Sequence, residues 1–407
     1  MSLMSIDKIL TGKYTGVPVF ILTMTLVFYL TFNMPGRLLS DMLSVIIYSS
    51  VNTLACCLQN AGTSPALQDL IIDGICAGVG SVLSFIPVIA VLFFFLSILE
   101  ESGYLPKVAV LLDRPMKKIG LSGKCVVPLV MSFGCAVPAV LTAGSMLSGR
   151  ERTTVISMLP FMSCSARLPV YAMFTSIFFH EHRAAVMSGI YITGIIIAVL
   201  YALSSKLAAS AGNHPQHSCT IRASYRASYR KPDMHVVFTS VCTNVMSFVR
   251  KAFTVIFTAS VVIWFLRSFD GNLHLVSDSA DSLLAAMGKA AAPVFAPLGF
   301  GDWRAASAVI AGISAKEAII STFAVLSGSP NGSALFSMLS VIFSPAGAFS
   351  FLIFCLLYMP CIATLTAIRH QTGSWLHSIR LAAVQLATAW FSSFIIYRAG
   401  LLLICLL

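Results

Sequence analysis

Two apolar stretches, each long enough to cross a bilayer, are broken in mid-span by polar clusters that carry both cysteine and proline. The first reads Ser132-Phe133-Gly134-Cys135-Ala136-Val137-Pro138-Ala139, the second Met162-Ser163-Cys164-Ser165-Ala166-Arg167-Leu168-Pro169. Proline removes a backbone donor, and hydrocarbon offers no water to the carbonyl left behind. Such a break persists only where protein packs it or a polar cavity wets it. The pattern predicts a transport path rather than an anchor.

Hydrophobic residues fill 57% of the 407 positions and charged residues 10%. Several runs reach the roughly 20 residues that cross a bilayer, which predicts an all-α polytopic membrane protein. The formal charge of +11 comes from short basic blocks between apolar segments. That is the positive-inside pattern; with no aromatic platform beside the charge, nucleic acid is excluded as a partner. The 11 cysteines have no regular spacing and read mostly as small buried hydrophobes, not a disulfide framework. The first run, Val17 to Phe32, ends in Thr31-Phe32-Asn33-Met34-Pro35 without a small-x-small cleavage site. It reads as a retained first span rather than a signal peptide.

Apolar segments, eight to nine in all, fall at 17–32, 71–100, 125–147, 154–179, 184–204, 243–267, 303–327, 348–369 and 376–398, with 36–62 expected as a helix lying along the surface. Loops 100–124 and 205–235 carry five basic residues each and are expected in the cytoplasm; 36–83, with only Arg37, and 268–302, with only Lys289, are expected outside. Three segments separate the two basic loops, so at least one of the Pro-broken pair, 125–147 or 154–179, should be re-entrant or built of half-helices.

An internal repeat is also legible. Residues 85–99 align with 252–266, 120–139 with 299–318, and Met162-Ser163-Cys164-Ser165-Ala166 with Met359-Pro360-Cys361-Ile362-Ala363. The loop charges make this an inverted repeat, an arrangement that places transporter sites at the repeat interface. The expected organisation is an N-terminal segment and first span over 1–35, a first repeat over 36–204, a basic cytoplasmic loop over 205–240 and a second repeat over 241–407.

Within this frame Lys316-Glu317 sits inside an apolar segment, where ionisable groups are costly and mark functional candidates. Glu317 could bind a cation, with Lys316 fixing its orientation. Cys135, Cys164 and Cys361 each fall at a broken segment, flanked by Gly134, Pro138, Ser163, Ser165, Pro169 and Pro360. Thiol and carboxylate together suit transient binding of a borderline-soft divalent metal. Arg167 could neutralise a half-helix C-terminal end or snorkel. Glu100 and Glu101 close an apolar span as a solvated terminus or a cation exit, and His180-Glu181-His182 reads as interfacial. No catalytic set is visible, so the chain is not read as an enzyme. The Gly-Lys pairs at 12–13, 123–124 and 288–289 are followed by Tyr14, Cys125 and Ala290, so no P-loop is present and any GTP-driven step belongs to another chain.

These residues closely resemble the membrane domain of the ferrous iron transport protein B family. The likeness runs through Glu100-Glu101-Ser102-Gly103-Tyr104, Asp113-Arg114, Phe133-Gly134-Cys135-x-Val137-Pro138-Ala139, Pro160 to Tyr171, Tyr229-Arg230-x-Pro232, Ala315-Lys316-Glu317 and Tyr358-x-Pro360-Cys361. The resemblance implies a multi-pass importer in the prokaryotic inner membrane, with ferrous iron as substrate and no permanently bound cofactor. It also implies two oppositely oriented gate motifs, with Cys135 and Cys164 on or near the iron path. A separate small GTPase, a small accessory cytoplasmic protein and homo-oligomeric assembly are the partners it implies. Family members usually carry an N-terminal GTP-binding domain, whereas this chain begins at the first membrane segment. It therefore reads as half of a split system, a shortened paralogue or a degenerate copy. Thr142-Ala143-Gly144 also replaces the family's usual Ala-Thr-Arg. Two other readings remain: a nucleoside transporter of the wider gate-motif group, and a membrane scaffold recruiting a GTPase through 205–235.

Overall fold

Only an α-helix satisfies every backbone donor and acceptor within its own segment, so apolar runs in hydrocarbon fold as helices. The computed structural model describes residues 15–33, 35–62, 64, 67–68, 70–211, 230–272, 274, 276, 279–327 and 332–406, and among them there is no strand. The helices are α1 (Gly16–Asn33), α2 (Pro35–Asn60), α3 (Ala77–Glu101), α4 (Tyr104–Lys118), α5 (Val126–Gly134), α6 (Ala136–Met146), α7 (Gly149–Met158), α8 (Leu168–Phe178) and α9 (Arg183–Ala211). There follow α10 (Met234–Ser268), α11 (Leu283–Phe295), α12 (Trp303–Ala311), α13 (Ala318–Leu326), α14 (Gly332–Ile342), α15 (Pro345–Leu357), α16 (Ile362–Thr372) and α17 (Trp375–Leu406). Five helices among the described residues are long and apolar enough to cross a membrane, or up to seven if each of two sharply bent pairs counts as one span. The chain is an all-α polytopic membrane protein.

The two sharp bends fall at different steps of the repeat: the alignment pairs the α3–α4 bend with the junction of α10 and α11, and the α11–α12 bend with the junction of α4 and α5. The second half of α3 and α4 meet at 78°, and α11 with its terminal turn meets α12 at 105°. Each repeat then has a left-handed glycine, Gly120 at φ 84° and Gly299 at φ 85°, at the positions aligned from sequence. A nine-residue half-helix follows in each, α5 and α12, then a break, then α6 or α13. Nine residues rise only about 14 Å, less than half the hydrocarbon core, so neither half-helix crosses by itself. Helices α5 and α6 pack against each other, as do α12 and α13. The expected re-entrant element is therefore 125–147, whereas Gly149–Phe178 retains the length and hydropathy of one broken span. Both repeats close on an 11-residue helix, α8 or α16, followed by a long one, α9 or α17; α14 has no counterpart.

Several expectations are corrected. Segment 303–327 is not one helix, because it breaks over Gly312–Glu317, at the ionisable pair. Loops 100–124 and 268–302 contain α4 and α11. Of the nine cysteines described, only Cys125 and Cys355 are buried, while Cys56, Cys57 and Cys242 are exposed. Residues 212–229 of the expected basic loop lie outside the described residues.

The chain divides into two compact units, one of residues 1–50, 80–159 and 196–253, the other of 51–79, 160–195 and 254–407. In the first, Leu105 and Val108 of α4 pack with Phe20, Met24, Tyr104 and Val126. In the second, Phe174, Phe323, Phe343 and Phe351 form an aromatic core with ring centroids 4.9–6.2 Å apart.

Candidate functional site

Three of the four residues named as transient metal ligands stand immediately before a half-helix, and the fourth, Cys164, stands before the turn that leads into one. Cys135, in extended conformation at φ −151° and ψ 131°, precedes α6. Cys164 precedes the tight turn Ser165–Arg167 that leads into α8, Glu317 precedes α13 and Cys361 precedes α16. The prolines explain the pattern. Pro138 and Pro169 lie in the first turn of α6 and α8, where a missing N–H costs nothing, and buried Pro360 sits in the break before α16. Proline here starts the second half-helix rather than orphaning a carbonyl inside the first. Helix N-termini carry positive partial charge, so side chains that can be anionic are stabilised there.

The opposite, carbonyl-rich ends are occupied by the protein's own cations. Arg167, 3% exposed, donates from Nη1 to the carbonyls of Pro160 and Met162 at 3.4 and 3.3 Å. Lys316, also 3% exposed, donates to the Met359 carbonyl at 2.7 Å, with Nζ 3.2 Å from the centroid of the Tyr358 ring. Each cation thus satisfies carbonyls exposed where an α-helical ladder stops, as expected for Arg167. Neither has a carboxylate within ion-pairing distance among the described residues. The thiol of Cys164 lies within electrostatic reach of Arg167, Cys361, Lys316 and Glu317, so the second unit brings these predicted residues near one another.

Ser163 Oγ donates to the Tyr171 hydroxyl at 3.2 Å, and the Cys361 thiol lies 3.2 Å from Thr364 Oγ1. Ser165 is half-buried and Pro169 exposed. Two buried polar atoms, Arg167 Nε and the Tyr358 hydroxyl, have no hydrogen-bond partner. Such atoms mark places where water, an ion or a ligand group belongs. Among the described residues no three His, Cys, Asp or Glu side chains converge as a ready metal cage. Tyr358 was missed by sequence reasoning as a site residue; its signal was an aromatic ring directly before a Pro-Cys break.

Gly134, Cys135 and Pro138 belong to the other unit, where Cys135 N–H donates to Met131 O at 3.1 Å and Gly134 is buried against Leu92 and Phe28. Two carboxylates cap the half-helix leading to them: Asp113 Oδ1 accepts from Gly123 N–H at 3.0 Å and Glu151 from Ser122 N–H. Asp302 does the same for α12, accepting from Arg304 N–H at 2.7 Å. At the bend after α3, Glu100 is exposed, while Glu101 pairs with Arg230, whose Nη2 lies 3.0 Å from its carboxylate and whose Nε donates to its carbonyl. His180, Glu181 and His182 are exposed in the turn between α8 and α9.

The sequence profile described as Gate, nucleoside recognition, matches residues 82–178 and 249–375, together more than half of the chain and one segment in each repeat. The chain belongs to the Gate family. Its first Gate segment holds Cys135 and Cys164, its second Lys316, Glu317 and Cys361. Among curated relatives, the Fe(2+) transporter FeoB of Staphylococcus aureus (strain COL) is 43% identical over 396 residues, covering 97% of this chain and 59% of the relative. The Fe(2+) transporter FeoB of Methanocaldococcus jannaschii is 33% identical, covering 98% and 59%. A Porphyromonas gingivalis protein named as a fusion of Fe(2+) transport protein A and Fe(2+) transporter FeoB is 32% identical, covering 98% and 51%. The chain therefore spans little more than half the length of these relatives. No solved structure matches it.

Proposed function

We propose that this chain carries ferrous iron across the prokaryotic cytoplasmic membrane, with Cys135, Cys164, Cys361 and Glu317 as transient ligands. The observation that supports the reading is the repeated placement of a thiol or carboxylate just before a half-helix or the tight turn that leads into one. Ferrous iron accepts sulfur and oxygen donors alike, and a path must bind weakly at several sites rather than tightly at one. The names of the relatives point the same way. The Porphyromonas fusion supports an accessory protein of the A type as a partner, and a separate GTPase remains part of the proposal.

A nucleoside cargo is favoured only by the family's description. A nucleoside needs a free aromatic face, and the rings of Phe174, Phe323 and Phe351 are fully buried in packing against one another.

The test is uptake of iron-55 as Fe(II) by lipid vesicles containing the purified chain. Cys164→Ser and Cys135→Ser are each expected to lower uptake at least about tenfold, the scale on which loss of a metal-site group lowers activity. Uptake equal to wild type in either variant removes that cysteine from the path, and no uptake above protein-free vesicles by the wild type ends the iron reading.

A further inference from the structure

We propose that the Met359 carbonyl and the face of the Tyr358 ring form a cation seat, occupied in this structure by the Lys316 ammonium, and that a divalent cation passing the site must displace that ammonium. The second half of this statement rests on the iron-transport reading; the first does not.

Burying an ammonium costs several kcal/mol after relaxation unless its surroundings replace water. A carboxylate would do so most strongly, yet Lys316 has none within ion-pairing distance. Its partners are a carbonyl at 2.7 Å and an aromatic face at 3.2 Å, both cation ligands without formal charge. A neutral seat holds a cation without trapping it. The seat also lies near two of the proposed ligands, because Lys316 is within electrostatic reach of Arg167, Cys361, Cys164 and Cys355. The unpartnered Tyr358 hydroxyl adds an oxygen donor still free to serve a ligand.

The other repeat explains why the movable cation is Lys316. Arg167 plays the corresponding part at Pro160 and Met162, but it grips two carbonyls with a planar fork. Lys316 makes a single hydrogen bond from a compact charge on a flexible four-carbon stem, so it can leave and return. A doubly charged ion outcompetes it for the carbonyl, and the tethered ammonium refills the seat as the ion departs. Tight binding is thereby avoided, as conduction requires.

The test uses the full chain in lipid nanodiscs, with Co(II) as a probe whose thiolate ligation is read by absorbance. Lys316→Met, which keeps the stem and removes the charge, is expected to bind Co(II) at least about tenfold more tightly than wild type, a shift of about 1.4 kcal/mol. Lys316→Arg should bind no more tightly than wild type. Unchanged or weaker binding by a folded Lys316→Met overturns the proposal. In the wild type, saturating Co(II) should raise acetic anhydride labelling of Lys316 as read by mass spectrometry. Unchanged labelling overturns the displacement whether or not the variant folds. Wild-type Fe(II) uptake with unchanged Lys316→Met affinity would sink the seat alone; tighter Co(II) binding without Fe(II) uptake would sink the iron reading alone.

Discussion

Replacing Gly123 by alanine is expected to destabilise the chain by at least about 3 kcal/mol, enough to remove most folded protein from detergent extracts. A Cβ at this position would overlap the Ala109 carbonyl oxygen and lie 2.8 Å from its carbon and 3.0 Å from Asp113 N. Those atoms are backbone of α4, so no side-chain rotation relieves the clash, and the Gly123 N–H bond to Asp113 would go with it. α4 would have to shift, dragging Leu105 and Val108 from their contacts with Phe20, Met24 and Val126. Fluorescence-detected gel filtration after a temperature series measures the effect. Gly189→Ala is the control: it lies within α9 with nothing inside 4 Å, and alanine is favoured over glycine in a helix interior by about 0.5–1 kcal/mol. A Gly123→Ala protein as heat-resistant as Gly189→Ala would mean that α4 and the start of α5 do not meet as described.

That contact belongs to the part of the fold least legible in the sequence. Lys107, Arg114, Lys117 and Lys118 make 104–118 look like a charged loop, although Leu105, Val108, Ala109, Leu112 and Met116 recur at helical spacing. Charge density masked the period. In α11 the cause was different: Gly288 and Pro293 interrupt an alanine-rich run that Ser282 caps, and packing against α12 helps to hold the helix. The breaks, in contrast, were legible because they need particular residues. Proline must begin α6 and α8, and an αL glycine must end the segments before α5 and α12, whatever surrounds them. The break at Gly312–Glu317 lacks proline altogether and was read as continuous helix, even though the aligned repeat pointed to it. The candidate ligands were therefore readable one by one. Which carbonyls Arg167 and Lys316 would hold was not, because those bonds join residues placed by tertiary folding.

Replacing Arg167 by methionine is expected to cost about 3 kcal/mol and to abolish uptake. Methionine keeps much of the buried volume, so the loss isolates the hydrogen bonds and the charge. Its removal leaves the Pro160 and Met162 carbonyls unpaired in a region without bulk water, and hydrogen bonds from a charged donor contribute about 1.5–3 kcal/mol. The break then has no compensation for the negative end of its first half, and Cys164, two residues beyond Met162, loses the frame that sets its direction. Arg167→Lys separates the two contributions. It restores the positive charge but not the fork, since one ammonium cannot reproduce the planar geometry that meets two carbonyls at once. Stability should therefore return in part, and uptake should remain impaired if the position of Cys164 depends on both bonds. Thermal stability in detergent and iron-55 uptake by vesicles, measured on the same preparations, read the two effects separately. Wild-type stability in Arg167→Met would show that these carbonyls find water or another donor. The break would then be wet at rest, and the cation at its carbonyl end dispensable.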